Sequence, residues 1–184
     1  MAAHSLIQDK YPALATAAGL VSSPQLRNMG TLGGNLCIDT RCTYYNQNYP
    51  WRKSLGFCMK KDGDICWVAL SSPKCLAVSS SDCAPVMMAL GAEYRLLGVG
   101  GERNIKAEEF YQDDGIDYLN KKPDEILISV SLPEMKGWTS AYRKLRRRGT
   151  IDFPVVGAAA SVHVNEEGVC EKARLALGAV TSAP

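Results

Sequence analysis

Nothing in this sequence approaches the run of ~20 apolar residues that a membrane-spanning helix needs. Nor does it open on the charged, apolar and small-residue succession of a secretory leader. Residues 1–19 read as an amphipathic helix instead, and a cytoplasmic location is the expectation. Charge of one sign is not in excess: the net value of +2 implies no large electrostatic field, which argues against bulk nucleic-acid binding. Histidine is scarce. His4 and His163 stand alone, and no Ser/His/Asp or Cys/His grouping marks a nucleophilic enzyme. His163 alternates with Val162 and Val164 and reads as a surface strand residue. There is no internal repeat and no low-complexity segment. The close C-x-x-C pairs of most zinc modules are also missing.

What is present is a chain of 184 residues, 46% hydrophobic and 22% charged, enough for one domain with a proper core, alone or with a small subdomain. It carries seven cysteines. In a reducing compartment, cysteines point to metal or redox use, not to a disulfide framework, and an odd count pairs poorly. Cys37, Cys83 and Cys170 read as unrelated buried thiols. Cys42, Cys58, Cys66 and Cys75 read as a set.

Apolar spacing over residues 5–19 predicts a helix, interrupted or restarted at Tyr11-Pro12. Residues 21–28 read as a connection and residues 30–35 as a Gly-rich loop. Residues 38–81 have no sustained period of 2 or 3.6, and so long a structureless stretch needs something other than an apolar core to hold it. Residues 83–91 predict a short buried helix ending at Gly91, with Met87 and Met88 as core filler. Strands are predicted over 92–99, 125–132, 139–147, 155–164 (central) and 172–180, with a short helix over 107–111 and a turn at Glu166-Glu167-Gly168. Strands in runs with helices set apart indicate an α+β domain with a mostly antiparallel sheet. Asp113, Asp114 and Asp117 read as loop carboxylates. Residues 143–148 hold five basic residues in six; on a strand these face alternate ways, which favours a solvated edge or a ligand contact over a nucleic-acid patch.

The four cysteines are separated by 16, 8 and 9 positions. Spacing alone leaves three readings open: an iron–sulfur cluster, a Cys₄ zinc site, or no metal. Turns at Gly56, Gly63 and Asp64 stand beside Cys58 and Cys66, where backbone N–H groups could point at sulfur. Tyr44, Tyr45, Tyr49, Trp51, Phe57 and Trp67 could shield a centre from water or pack a metal-free subdomain. Upstream, Arg27-Asn28-Met29-Gly30-Thr31-Leu32-Gly33-Gly34-Asn35 puts three glycines in six residues, which lets backbone amides approach a ligand.

That last motif resembles the second flavin-binding motif of the molybdenum hydroxylase flavoproteins, the group that includes the FAD domain of xanthine dehydrogenase and the medium subunit of carbon monoxide dehydrogenase. In the family it is followed by a Ser-Asp before an apolar helix, the place that Ser81-Asp82 takes here. The residues between resemble the four-cysteine insertion of 4-hydroxybenzoyl-CoA reductase β subunits, which carries a [4Fe–4S] cluster. The resemblance covers nearly the whole chain. It implies an FAD-binding domain over residues 1–37 and 79–184, with an inserted iron–sulfur loop over 38–78. It implies flavin contacts from Gly30, Thr31, Leu32, Gly33, Gly34 and Asn35, from Asp82, from the backbone near Leu127, and from Arg143 or Lys144 in the Tyr142-Arg143-Lys144 segment. Iron would be ligated by Cys42, Cys58, Cys66 and Cys75.

The resemblance further implies an electron-transfer oxidoreductase subunit. Partners would be a molybdenum-cofactor large subunit, a [2Fe–2S] small subunit and a ferredoxin-like donor, and the reaction the reductive dehydroxylation of 4-hydroxybenzoyl-CoA to benzoyl-CoA. The alternatives are the flavoprotein subunit of another molybdenum hydroxylase or dehydrogenase, and a non-catalytic zinc-binding module. The family's first flavin motif and its C-terminal domain are not found, so the chain reads as the central piece of a subunit.

Overall fold

A computed structural model describes the chain from Met1 to Pro184. The N-terminal stretch folds as two helices, α1 (Ser5–Lys10) and α2 (Pro12–Leu20), broken at Tyr11 because Pro12 has no amide to continue the first helix but suits the first turn of the next. Ala13, Leu14, Ala17 and Ala18 bury one side of α2. The expected connection over residues 21–28 contains a short helix, α3 (Pro24–Arg27), started by Ser23, whose Oγ accepts the Leu26 N–H. The expected Gly-rich loop also contains a helical turn, α4 (Leu32–Leu36). Glycine disfavours helix, but Thr31 Oγ1 accepts the Gly34 N–H at 3.0 Å and buried Leu36 anchors the far end.

Residues 38–78 hold one regular element, α5 (Tyr49–Ser54), where Asn48 Oδ1 accepts the Trp51 N–H at 3.0 Å. At the base, Arg41 and Val78 exchange both backbone hydrogen bonds at 2.8 Å, so the long excursion leaves and re-enters the domain at one point.

Next comes α6 (Cys83–Leu90), buried throughout except at Met88, which still packs against the core. It ends at Gly91, whose φ of +71° suits glycine. The strands are β1 (Glu93–Gly98), β2 (Gly101–Lys106), β3 (Ile126–Ser131), β4 (Trp138–Leu145), β5 (Val156–Val164) and β6 (Cys170–Gly178), with helix α7 (Ala107–Phe110) between β2 and β3. The class is α+β, and all strand pairs are antiparallel, but they form two three-stranded sheets, β2-β1-β3 and β4-β5-β6, where one was expected. Strand β2 escaped the sequence pattern because only Ile105 of its six residues is buried; pairing with β1 makes it a strand.

Helix α6 lies against β5 and β6. Small residues on β5 allow that approach: Gly157 and Ala159 are buried, and Ser161 donates its hydroxyl hydrogen bond to the Ala89 carbonyl. On the other side, α6 shares a core with Leu14, Leu36, Tyr94, Leu96 and Phe110, all essentially fully buried. Each such side chain contributes about 1.5–3 kcal/mol. Tyr94 and Phe110 meet edge to face, their centroids 5.0 Å apart. No helix is long and apolar enough to cross a membrane.

Glu125, just before β3, is fixed by Arg103 on β2: Nε donates at 2.7 Å and Nη2 at 2.9 Å, and the Lys122 N–H adds a third bond. These contacts hold its carboxyl at about 2, below the ordinary 4.5. A depressed carboxylate stabilises the fold above its unfolded value and loses that contribution as pH falls through the folded one. An acid limb in the stability–pH curve is therefore expected between about pH 4.5 and 2, and E125Q should lack that part of it in urea titrations across the window. Equal acid limbs in the two proteins would rule the assignment out.

Candidate functional site

The long excursion brings its four cysteines together. Cys42, Cys58, Cys66 and Cys75 line one small cavity, with Tyr44, Tyr45, Met59, Trp67 and Val68 among its other walls. Cys58, Cys66 and Cys75 are buried, and Cys42 is half-buried. Of the six aromatics singled out in the sequence, Tyr44, Tyr45 and Trp67 line the cavity. Trp51 stands behind Tyr44, with centroids 6.2 Å apart, and Tyr49 packs on Phe57. Trp67 Nε1–H is fixed by the Phe57 carbonyl at 2.5 Å.

Two of the sulfurs sit in unlike surroundings. Burial pushes the Cys66 thiol up, but backbone N–H groups of Leu76, Ala69 and Val68 outweigh it and leave the group below its usual range. Burial raises Cys75, opposed by the Ala77 N–H and the Lys60 charge. No group of three or more His, Cys, Asp or Glu side chains closes on a point as a single metal ion requires. A zinc ion with Zn–S near about 2.3 Å needs that closure, whereas an iron–sulfur cluster takes its thiolates around its periphery. The other three cysteines are separate thiols: Cys83 is buried and pushed up to about 12, chiefly by desolvation, and Cys37 is half-buried. Cys170, expected buried, is exposed near the start of an edge strand.

A residue far from the cysteines in sequence backs one of them. Gly115 donates its N–H to the Cys75 carbonyl at 2.8 Å. A Cβ on Gly115 would stand 2.7 Å from Cys75 Sγ and 2.8 Å from Ala77 N, closer than side chains pack. G115A is expected to cost about 1–3 kcal/mol through overpacking and to displace Cys75. Thermal denaturation and thiol counting under native conditions check it; an unchanged Tm with Cys75 still protected would show that Gly115 does not back Cys75. No sequence motif marks this glycine.

The Gly-rich segment forms a second locus. Gly30, Thr31 and Gly34 are exposed, and the N–H groups of Leu32 and Gly33 at the start of α4 have no protein acceptor. A Cβ on Gly34 would lie 3.0 Å from Thr31 Oγ1, so the turn closes best on glycine. Gly33 sits against the Leu127 carbonyl, 3.7 Å from where its Cβ would be, which joins two expected flavin contacts. Free amides beside an open surface, at a cradle without side chains, fit the diphosphate and sugar of a dinucleotide.

Asn35 faces inward. Its Oδ1 accepts from Ser81 Oγ at 2.8 Å and from Cys83 N at 3.1 Å, while Ser81 Oγ also accepts the Ala84 N–H at 3.0 Å. Asn35 and Ser81 together cap α6, a role that Asp82 does not take. Asp82 points to β4: it accepts from Tyr142 Oη at 2.8 Å and from Lys144 Nζ at 2.9 Å, and Lys144 donates again to the Leu20 carbonyl. This ion pair is buried at both ends, with side-chain exposure of 0% and 5%. Desolvation raises the Asp82 carboxyl despite Lys144 and Tyr142. Strand alternation sends Arg143 to the exposed face and Lys144 inward. Asp82 and Lys144, both expected on the flavin, thus engage each other behind the Gly-rich segment.

Residues 1–135 match the family described as the FAD binding domain in molybdopterin dehydrogenase, and residues 140–184 match the CO dehydrogenase flavoprotein C-terminal domain, which corrects the expectation that this domain is not found. The chain is 33% identical over 193 residues to the aldehyde oxidoreductase FAD-binding subunit of Escherichia coli, covering 100% of this chain and 59% of that one. It is 28% identical to the carbon monoxide dehydrogenase medium chain of Afipia carboxidovorans, covering 95% of this chain and 46% of that one. In fold it is similar to a crystal structure of a Cu,Mo-CO dehydrogenase, with a TM-score of 0.71 at 24% identity over 100% of this chain and 50% of that one. The chain spans about half the length of the curated relatives it matches.

Proposed function

The chain belongs to the FAD-binding family of the molybdopterin dehydrogenases, and from that premise we propose that it is the electron-transfer flavoprotein part of a molybdenum hydroxylase-type oxidoreductase, carrying a [4Fe–4S] cluster of its own in residues 38–78. The observation that carries the cluster is the convergence of Cys42, Cys58, Cys66 and Cys75 on one cavity, with backbone N–H groups aimed at Cys66. A cluster held there supplies one-electron transfer at a potential set by its charge, hydrogen bonds and exposure.

The chain's own residues do the positioning. The backbone from Gly30 to Asn35, with Leu127, lines the FAD. Asn35 and Ser81 tie that segment to α6, and the Asp82–Lys144 pair holds α6 to β4 from behind. Tyr44, Tyr45 and Trp67 exclude water from the sulfurs. The substrate site lies on a molybdenum-cofactor large subunit, reached through a [2Fe–2S] small subunit, and this chain handles electrons only.

For the substrate, the four-cysteine loop supports a 4-hydroxybenzoyl-CoA reductase-like enzyme that takes low-potential electrons from a ferredoxin-like donor. A second reading, oxidation of an aldehyde with electrons flowing outward, is favoured by the 33% identity to the Escherichia coli aldehyde oxidoreductase subunit.

Anaerobic purification with iron, acid-labile sulfide, zinc and flavin analysis, followed by EPR after dithionite reduction, tests the cofactor content. About four irons and four sulfides per chain with a reduced-cluster signal are expected. Zinc alone, or no metal after anaerobic reconstitution, would overturn the cluster and leave a flavin scaffold. In the assembled enzyme, benzoyl-CoA formed from 4-hydroxybenzoyl-CoA with reduced ferredoxin supports the first substrate reading, and aldehyde-dependent flavin reduction the second.

A further inference from the structure

One charged side chain stands in the wall of the cysteine cavity. Lys60 lines it, and its side chain is 7% exposed. Lysine is rarely buried so fully without a partner charge. Its ammonium donates to Asp39 Oδ1 at 2.7 Å, Thr40 Oγ1 at 2.5 Å, the Gly115 carbonyl at 2.7 Å and the Thr40 carbonyl at 3.3 Å. It also lies 4.9 Å from the ring centre of Tyr45, itself a wall of the cavity, and 5.4 Å from that of Tyr118. Three of the four acceptors are neutral. They solvate the cation without cancelling it. The fourth, Asp39, is 48% exposed, so water screens much of its charge. What remains is a positive charge fixed in a dry wall, against a site built to collect four thiolates.

We infer that Lys60 is the internal counter-charge of the four-cysteine cavity and raises the reduction potential of the iron–sulfur centre held there, an inference that rests on the cluster reading above. The physical reason is direct. Four thiolates give such a centre net negative charge, and reduction adds one electron to it without breaking a bond. A fixed cation stabilises the reduced form more than the oxidised form. Of the quantities that set such potentials, net charge is the one that this residue supplies. The position also explains why the cation is tethered so fully. Thr40 and Gly115 hold the ammonium at one place, and Gly115 is the residue that backs Cys75, so charge and sulfur share a support.

The test is a dithionite redox titration, followed by EPR, of the anaerobically purified chain as wild type, K60M, K60R and D39N. A unit charge roughly 10 Å from a one-electron centre, at the effective dielectric of a protein site, changes its equilibrium on the order of tenfold, which is about 59 mV. K60M is expected to lie lower by about that amount. K60R, which keeps the charge, should stay near the wild type. D39N, which keeps the acceptor oxygen but removes the counter-charge, should shift in the opposite direction to K60M. A K60M protein with full iron and sulfide and the wild-type potential overturns the inference. If K60M does not assemble a centre, D39N decides alone: a raised potential supports the counter-charge and an unchanged one overturns it. Wild-type chain without iron and sulfide defeats the cluster reading itself, so the two failures are distinct.

Discussion

Lys144→Met should lower the stability of the chain by about 3–5 kcal/mol, the usual consequence of removing one partner from a buried ion pair. The Lys144 side chain has no exposed surface and makes two hydrogen bonds, to Asp82 at 2.9 Å and to the Leu20 carbonyl at 3.1 Å. Without it, Asp82 keeps only Tyr142 as a side-chain partner in a site that already disfavours its charge. For a domain of this size the loss corresponds to a Tm lower by roughly 6–20 °C. The sign of the Asp82 shift adds a pH signature. Its folded value lies above its unfolded one, so its contribution is fully present below the unfolded value and declines as pH rises through the folded one. Once the Lys144 charge is gone, that decline should steepen. The double variant K144M/D82N removes the stranded carboxylate and should recover part of the loss. Thermal melts of the wild type and the two variants decide the matter: a K144M protein within about 1 kcal/mol of wild type would show that the pair adds nothing net. Because Asp82 follows Ser81, which Asn35 grips, K144M should also weaken FAD binding at temperatures where the fold survives.

Cys58→Ser should remove or convert the cluster while leaving most of the fold. The main core lies outside residues 38–78, in α2, α6, α7 and the sheets, so it does not depend on the cysteine cavity. Cys58 is buried, and its backbone carbonyl is engaged by the amides of Lys61 at 2.8 Å and Gly63 at 3.1 Å, so the turn that presents it should persist with serine. Serine places a poorer iron ligand at the same point. Iron is expected to fall from about four per chain to about three or fewer, with a changed visible spectrum. Circular dichroism should retain the helix and strand signal. Unchanged iron content and spectrum would remove Cys58 from the ligand set. The turn itself is tight, since a Cβ on Gly63 would stand 2.9 Å from Cys58 N.

The sequence by itself determined the elements whose partners are local. The helix from Cys83 to Leu90 with its glycine stop, the hairpin through Glu166-Glu167-Gly168, and the central place of β5 follow from apolar spacing and turn chemistry. It also grouped four cysteines and one Gly-rich segment, because both signals are carried by residue type within a short span. Contacts across long separations were decided only by the tertiary structure. Strand β2 is nearly all polar and is a strand through its pairing with β1, so no periodicity announced it. A glycine-rich segment became a helical turn because Thr31 capped it and Leu36 was buried. Asp82 and Lys144, far apart in sequence, met because α6 packs on the sheet that carries β4 and β5. Gly115 came to hold the Lys60 ammonium and to back Cys75 from a position that residue type alone leaves unremarkable. The reason is common to the long-range cases. Burial and charge pairing are properties of the folded arrangement, and a sequence states them only where the partners are neighbours along the chain.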